Sequence, residues 1–304
     1  MRLLINATSY GDPPGGAGLR AHYLFDALRN VDPTHEIEFL LAEDTPADLV
    51  PSGVPHRRLP VYAARPLRRR LALRLPDDGD LLFTDHYPVA QIPTVVTLHD
   101  CGGGPLRRWR LAATIEKATK VIAVSETVKR ALCPAAVVVP NGFDAPIELP
   151  APAREDPYLL FCDPALAHKG AAIARAAAET AGLPLVEIGR GVGWLSRYEM
   201  VAHLRGAAAL LAPSTKEGFG LVPLEAMALG VPVVLSDIPA HREVCGDIGF
   251  YAPPGNRERF AEAVSRALNC GRGLLEQGRK RARSYSWRHA AEKLQAVIDE
   301  VTRR

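Results

Sequence analysis

The chain of 304 residues contains no apolar run approaching the roughly 20 residues that a membrane-spanning helix needs. Its opening, MRLLINATSYGD, has too short an apolar stretch for a signal peptide and reads as a first strand, so the cytoplasm is the expected location. Charge of either sign is not in excess. With 37 Lys and Arg against 34 Asp and Glu, the net charge of +3 argues against a nucleic-acid partner. The 5 cysteines, Cys101, Cys133, Cys162, Cys245 and Cys270, are odd in number and lack CxxC spacing. That speaks for reduced thiols and against a structural metal. A GxGxxG fingerprint is also missing: YGDPPGGAGLR places a long Pro-rich loop between strand and helix. Although Glu43 ends the second strand where a ribose acid would sit in an NAD site, a dinucleotide cofactor is not expected.

What is present is an alternation of short β-branched or Leu-rich runs with longer Ala/Arg/Glu segments. Strands are expected at 2–6, 36–42, 81–84, 94–98, 120–124 and 136–140, and helices at 17–30 and 125–132. The Pro-rich stretch 141–157 has no periodicity and reads as a linker. The pattern then restarts, with strands at 158–162, 183–189, 208–213, 231–236 and 249–252. Two successive βα arrays imply two doubly wound, Rossmann-like α/β domains facing each other across a cleft, spanning 1–145 and 146–286. The tail from 287 to 304 is amphipathic, with Ala290, Leu294, Val297 and Val301 on one face.

In such sheets the residues just after each strand meet the ligand. TKEGFGLVPLEAMALG follows one strand with a tight turn and a helix. Gly218 and Gly220 let backbone approach a ligand, and the N–H groups at the helix start suit a phosphate. Glu217 precedes the turn, and Glu225 lies too deep in the helix to serve only its dipole. A carboxylate accepting from two neighbouring hydroxyls is a natural ribose or sugar clamp. His99 and Asp100 end the strand TVVTL, so His99 is a second strand-end candidate, with His86 in a similar place. DDGD at 77–80 precedes a strand and reads as a turn, and GRGVG at 189–193 could form a loop of its own, with Gly193 at its end.

EGFGLVPLE, followed by AMALGVPVV, resembles the E-x7-E signature of the retaining glycosyltransferases of family four, which have the GT-B fold. GGAG at 15–18, VVTLHD at 95–100, VIAVSE at 121–126, VVPNGFD at 138–144, HKG at 168–170 and SDIPAHREVCGD at 236–247 follow in the family's order. The resemblance implies a nucleotide-sugar donor (UDP- or GDP-sugar), no cofactor or metal, and a sugar or lipid-linked acceptor held by the first domain. It implies Glu217, His99 and Lys169 as catalytic residues. It further implies Gly15, Gly16, Gly218, Phe219, Gly220, Leu221, Val222 and Glu225 as binding residues, with Glu217 on the donor sugar and Glu225 on the ribose. The tail helix, by the same likeness, crosses back to the first domain.

The chain departs from the family pattern at one place. An Arg usually stands five residues before the diphosphate lysine; Pro164 stands there instead, flanked by Asp163. Arg190 and Arg20 are conceivable replacements. RPLRRRLALRL at 65–75 suits an anionic bilayer or a lipid-diphosphate acceptor, or is simply a packed helix with a solvated Arg face. PLRRWRLA at 105–112 follows the Gly-rich loop after His99 and is expected to border the acceptor pocket. The expected activity is hexosyl transfer with retention. Its rivals are a catalytically silent sugar-nucleotide-binding relative and another GT-B enzyme such as a nucleotide-sugar epimerase.

Overall fold

The computed structural model describes residues 1–8, 16–45, 53–61, 75–85, 91–101, 104–144, 148–193 and 195–303. They divide into two compact units, Met1–Gly142 with Trp287–Arg304, and Phe143–Ser286. Phe143 belongs to the second unit rather than the first, where the reading to residue 145 had put it. Its N–H donates to Tyr285 O at 2.7 Å, tying it to that unit's last turn.

The first unit holds a seven-stranded sheet in the order β3-β2-β1-β4-β5-β6-β7. The strands are β1 (Arg2–Asn6), β2 (Glu36–Ala42), β3 (His56–Leu59), β4 (Leu81–Thr84), β5 (Thr94–Leu98), β6 (Lys120–Ala123) and β7 (Val137–Val138), and every pairing is parallel. Parallel strands covered on both faces must be apolar on both, which is why RLLIN, LLFT and TVVTL are continuous rather than alternating. Leu3, Ile5, Phe39, Leu41 and Phe83 enter one core, while Leu4, Leu40 and Leu82 enter another. The strand expected at 136–140 is shorter than its apolar run. β3 was not expected, because HRRL carries no apolar run. It is an edge strand whose Arg57 reaches Glu38 and Asp78, at 3.0 Å and 2.9 Å. Asp80 accepts from Arg2 N–H at 2.7 Å, so the DDGD turn is tied into the fold through Asp78 and Asp80.

Helix α1 (Gly16–Val31) packs with the tail helix α10 (Trp287–Thr302) on the first core. Trp287, Ala290, Ala291, Leu294, Val297, Ile298 and Val301 are buried at three- and four-residue spacing, so one stripe of the helix is apolar. Tyr23 stacks on Trp287 at 5.8 Å between ring centroids. Deleting a large side chain from this seam, such as Leu294→Ala, costs about 2–5 kcal/mol. Helices α2 (Pro105–Lys117) and α3 (Glu126–Leu132) also belong to this unit, the latter capped by Ser125 Oγ accepting from Val128 N–H.

The second unit holds five parallel strands in the order β12-β11-β10-β8-β9. These are β8 (Tyr158–Cys162), β9 (Leu185–Ile188), β10 (Ala207–Ala212), β11 (Val233–Ser236) and β12 (Phe250–Ala252). Helices α4 (Ala171–Ala181), α5 (Arg197–Gly206), α6 (Leu221–Leu229), α7 (Pro239–Cys245), α8 (Arg257–Leu268) and α9 (Arg272–Ala282) connect and follow them. α4 and α8 cover one face through Ala174, Ala177, Phe260, Ala263 and Val264. Strand order reverses between β8 and β10, and ligands of doubly wound sheets bind at such a switch point, outside the strand C-termini. In the first unit the switch falls between β1 and β4. Among the described residues no helix is long and apolar enough to cross a membrane.

Candidate functional site

The switch point of the second unit is flanked by the turns after β8 and β10. After β8 the chain forms a 3-10 turn, Ala167–Lys169, and enters α4 through Gly170 at φ 80°. A Cβ on Gly170 would stand 2.6 Å from Pro213 O, so only glycine allows this turn to lie against the end of β10. Thr215 N–H donates to His168 O at 2.8 Å and staples the two turns together. The staple brings Lys169 to Glu217: Nζ lies 2.8 Å from Oε1, and Ser214 Oγ donates to the same oxygen at 2.7 Å. Burial opposes both charges, but the pair outweighs it. Burial alone would push Glu217 up, yet Lys169 and the hydrogen bonds from Lys169 and Ser214 hold it below the ordinary carboxylate range. Burial would lower Lys169, yet Glu217 raises it.

Glu217 leads into a turn whose Gly218, Phe219 and Gly220 are all buried. Phe219 packs edge-on against Tyr285 at 5.6 Å. Gly220 caps α6 at φ 102°, while a Cβ there would meet His241 Cδ2 and Pro223 Cγ at an ordinary 3.6 Å and 3.9 Å; backbone conformation rather than space requires glycine. The N–H groups of Leu221 and Val222 open the helix without an intrahelical acceptor, and the positive dipole end points the same way. Pro223 supplies no N–H at all. Beyond it α6 is apolar nearly all round, and Glu225 lies inside that apolar stretch, 4% exposed. Burial pushes the Glu225 carboxyl above its ordinary value, opposed by Arg197, whose Nη1 is 2.8 Å from Oε1.

Three residues that the motif did not indicate belong to this neighbourhood: Ser214, Arg197 and His241. His241 is fully buried, with Nδ1 2.8 Å from Ser236 O. That contact requires the proton on Nδ1, and burial lowers its pKa, so the ring is neutral. The departure at Pro164 has a structural counterpart. Asp163 adopts φ 61°, rare for a residue with a side chain, and accepts from Arg190 N–H at 3.0 Å. A Cβ on Gly189 would stand 2.5 Å from Asp163 Oδ1, so this acid closes the ends of β8 and β9 together. Gly189 and Gly193 exchange backbone hydrogen bonds at 2.7 Å and 3.0 Å, which spends amides that a phosphate loop would need.

In the first unit, His99 follows β5 and its Nε2 lies 2.8 Å from Asp85 Oδ1, at the end of the neighbouring β4. Asn6 Nδ2 donates to Thr84 Oγ1 at 2.9 Å across the switch point. Arg20, suggested as a substitute diphosphate cation, is buried and donates to Pro140 O at 3.1 Å and Asn141 Oδ1 at 2.7 Å. Burial lowers its pKa to about 10. Gly16 is the first residue of α1. Gly15, His86 and the Arg-rich run up to residue 74 lie outside the described residues.

Residues 14–145 match the family described as Glycosyltransferase Family 4, and residues 169–270 match Glycosyl transferases group 1. The chain is 33% identical over 123 residues to a phosphatidyl-myo-inositol mannosyltransferase of Mycobacterium leprae, covering 38% of this chain and 33% of that protein. It is 36% identical over 118 residues to the O-antigen chain mannosyltransferase B of Escherichia coli, covering 34% and 29%. The match thus spans about a third of the length of these relatives. A longer match, 30% identical over 229 residues, links it to the phosphatidyl-myo-inositol mannosyltransferase of Mycolicibacterium smegmatis, covering 62% and 58%. Among solved structures, Anabaena Alr3699/HepE in complex with UDP-glucose superposes with a TM-score of 0.78 at 17% identity, over 99% of this chain and 100% of that one. The sucrose-phosphate synthase of Thermosynechococcus elongatus does so with 0.74 at 18%, over 99% of each. The fold is GT-B. Each of the two matched stretches, one in each unit, fits a model of glycosyltransferase domains.

Proposed function

We propose that the protein is a family-four hexosyltransferase that takes a sugar from a nucleotide-sugar donor and passes it, with retention, to a sugar or lipid-linked acceptor. The observation that carries this reading is the meeting of Lys169 and Glu217 at the β8/β10 switch point, beside the open N-terminus of α6. In this reading the N–H groups of Leu221 and Val222 receive the diphosphate. Lys169 exchanges Glu217 for the phosphate oxygens as negative charge builds on the leaving nucleotide. Glu217, freed on the donor side, accepts hydroxyls of the transferred sugar, and Glu225 accepts those of the ribose. His99, set by Asp85, serves the acceptor side. The rest of the rate comes from positioning. Several relatives are named for mannosyl transfer, so mannosyl donors are the first to test.

Peripheral contact with a membrane forms part of the proposal. The described surface with suitable chemistry is the first two turns of α2. There Leu106 and Trp109 are 60% and 68% exposed among Arg107, Arg108 and Arg110. Cations in a first turn oppose the helix dipole, and an exposed tryptophan flanked in sequence by arginines, of which Arg107 pairs with Asp100 at 2.9 Å, suits the headgroup layer of an anionic bilayer.

A second reading is favoured by one observation. With Pro164 in the usual place of the second cation and the Asp163 carboxylate beside it, the chain could bind a nucleotide sugar without turning it over. Incubation with radiolabelled UDP- and GDP-sugars separates the two. Transfer or hydrolysis supports the enzyme, binding with neither supports the silent module, and no binding defeats both.

A further inference from the structure

Arg197 lies outside every motif that the sequence offered, yet it is fixed from three directions. It is the first residue of α5, whose start is set by a capping box in which Ser196 Oγ accepts from Glu199 N–H and Glu199 accepts from Ser196 N–H. Its guanidinium carbon stands 4.9 Å from the centre of the Phe143 ring. Its Nη1 meets Glu225 Oε1 at 2.8 Å. A cation at the first position of a helix opposes the dipole, so local helix chemistry does not account for it. A buried ion pair is weak evidence of stabilisation, because an apolar pair of similar volume does as well or better.

The state of the carboxylate explains the arrangement better. The Glu225 side chain is 6% exposed and sits in an apolar helix, where an isolated carboxylate would take up a proton. A protonated acid cannot accept from two hydroxyls with both oxygens. Arg197 occupies Oε1 only. Oε2 has no partner among the described residues and is not among the buried unsatisfied atoms, so it reaches solvent. The other group that faces this acid is Cys162 at the end of β8, whose thiol burial pushes far up and keeps neutral; Lys169 and Asp163 stand beyond it. Arg197 is therefore the one cation in contact with Glu225 among the described residues.

We propose that Arg197 is the positioning residue of a ribose clamp: by holding Oε1 of Glu225 it keeps the carboxylate an anion and turns Oε2 toward the vicinal hydroxyls of the nucleotide. The inference rests on the reading of Glu225 as the ribose acid under the proposed function. It does not require that Arg197 touch the nucleotide.

The test is calorimetric titration with UDP and GDP and with their 2′,3′-dideoxy forms, at pH 6 to 8.5. It compares the unmodified protein with Arg197→Gln, Arg197→Lys and Glu225→Gln. Unmodified protein should prefer the ribonucleotide by about 10- to 100-fold at pH 8.5, the worth of charge-assisted hydrogen bonds, and lose less of that preference toward pH 6 than Arg197→Gln does, because burial raises the Glu225 carboxyl and Arg197 opposes the rise. In Arg197→Gln most of that preference should vanish, more completely at pH 6 than at 8.5, because an acid stripped of its cation is protonated first at low pH. Dideoxynucleotide affinity should stay within about twofold, since the clamp has nothing there to hold. Arg197→Lys should restore the pH profile of the unmodified protein but only part of the preference, and Glu225→Gln should show neither. Equal losses for both nucleotide forms in Arg197→Gln would place Arg197 on the base or phosphate and overturn the inference. So would a lowered melting temperature with the preference unchanged, which marks a purely structural pair. If the unmodified protein binds both forms equally, Glu225 is not the ribose acid and the inference falls while nucleotide binding stands. If it binds neither, the donor reading falls with it.

Discussion

Replacing Glu217 by alanine separates the stability of the switch-point turns from the diphosphate binding that the proposed function gives them. Oε1 takes hydrogen bonds from Lys169 Nζ at 2.8 Å and Ser214 Oγ at 2.7 Å, with the two ion-pair side chains 19% and 15% exposed. Hydrogen bonds to charged groups contribute about 1.5–3 kcal/mol, and removing one partner leaves the other desolvated. Because solvent reaches part of the pair, a stability loss of about 2 kcal/mol is expected. At two to four degrees per kcal/mol for a unit of this size, that lowers the melting temperature by about 4–8 °C. The carboxyl is held below its ordinary value, so its contribution is complete above an ordinary Glu pKa of about 4.3 and fades as pH falls below that. Lys169 is raised, so its share persists to beyond about pH 10. The difference between the two proteins should therefore be flat across the neutral range and shrink only in acid. Affinity for a bare nucleoside diphosphate should hold or tighten by up to about tenfold, because Lys169 no longer has a carboxylate to leave. Turnover should be lost. Thermal melts between pH 3 and 8, with calorimetric titration of UDP and GDP, read both effects. A tenfold fall in diphosphate affinity in a folded Glu217→Ala protein, or a stability gap that widens in acid, would refute the reasoning.

Restoring a cation with Pro164→Arg should tighten diphosphate binding about 10- to 100-fold, the worth of one hydrogen bond to a charged group, and leave the parent nucleoside unaffected. Equal effects on nucleoside and diphosphate in titrations would show that position 164 does not face the phosphates. Replacing Leu106 and Trp109 together by Ser should abolish co-sedimentation with phosphatidylserine-rich vesicles at low salt while sparing nucleotide affinity. If the unmodified protein ignores such vesicles, α2 is a solvated surface and a soluble acceptor is the better expectation.

Strands buried on both faces were legible because the parallel sheet demands continuous apolar runs, and YLLFC and VPVVLS supply them without interruption. β3 was not legible because an edge strand is free to carry HRRL, whose arginines answer acids that arrive from β2 and from the turn before β4. The spacing of Glu217 and Glu225 places one before a Gly-Phe-Gly turn and the other inside a helix, which the glycines announce. Their partners were hidden. Lys169 stands 48 residues from Glu217 and Arg197 stands 28 from Glu225. The first pairing exists only because β8 lies beside β10 rather than beside β9 alone. Asp85 reaches His99 through the pairing of β4 with β5, another long-range contact that no local pattern encodes.

The central claim is that the second unit binds a sugar nucleotide through the turn at Glu217 and the start of α6. Thermal shift with a panel of UDP-, GDP-, ADP- and TDP-sugars, each at millimolar concentration, tests it most directly. A ligand at one hundred times its dissociation constant adds about 2.7 kcal/mol to the unit that binds it, or about 5–11 °C for a unit of this size. The account predicts such a shift for one base in particular, reduced in Glu225→Ala. No shift with any of the four, from a protein that melts cooperatively, would contradict it.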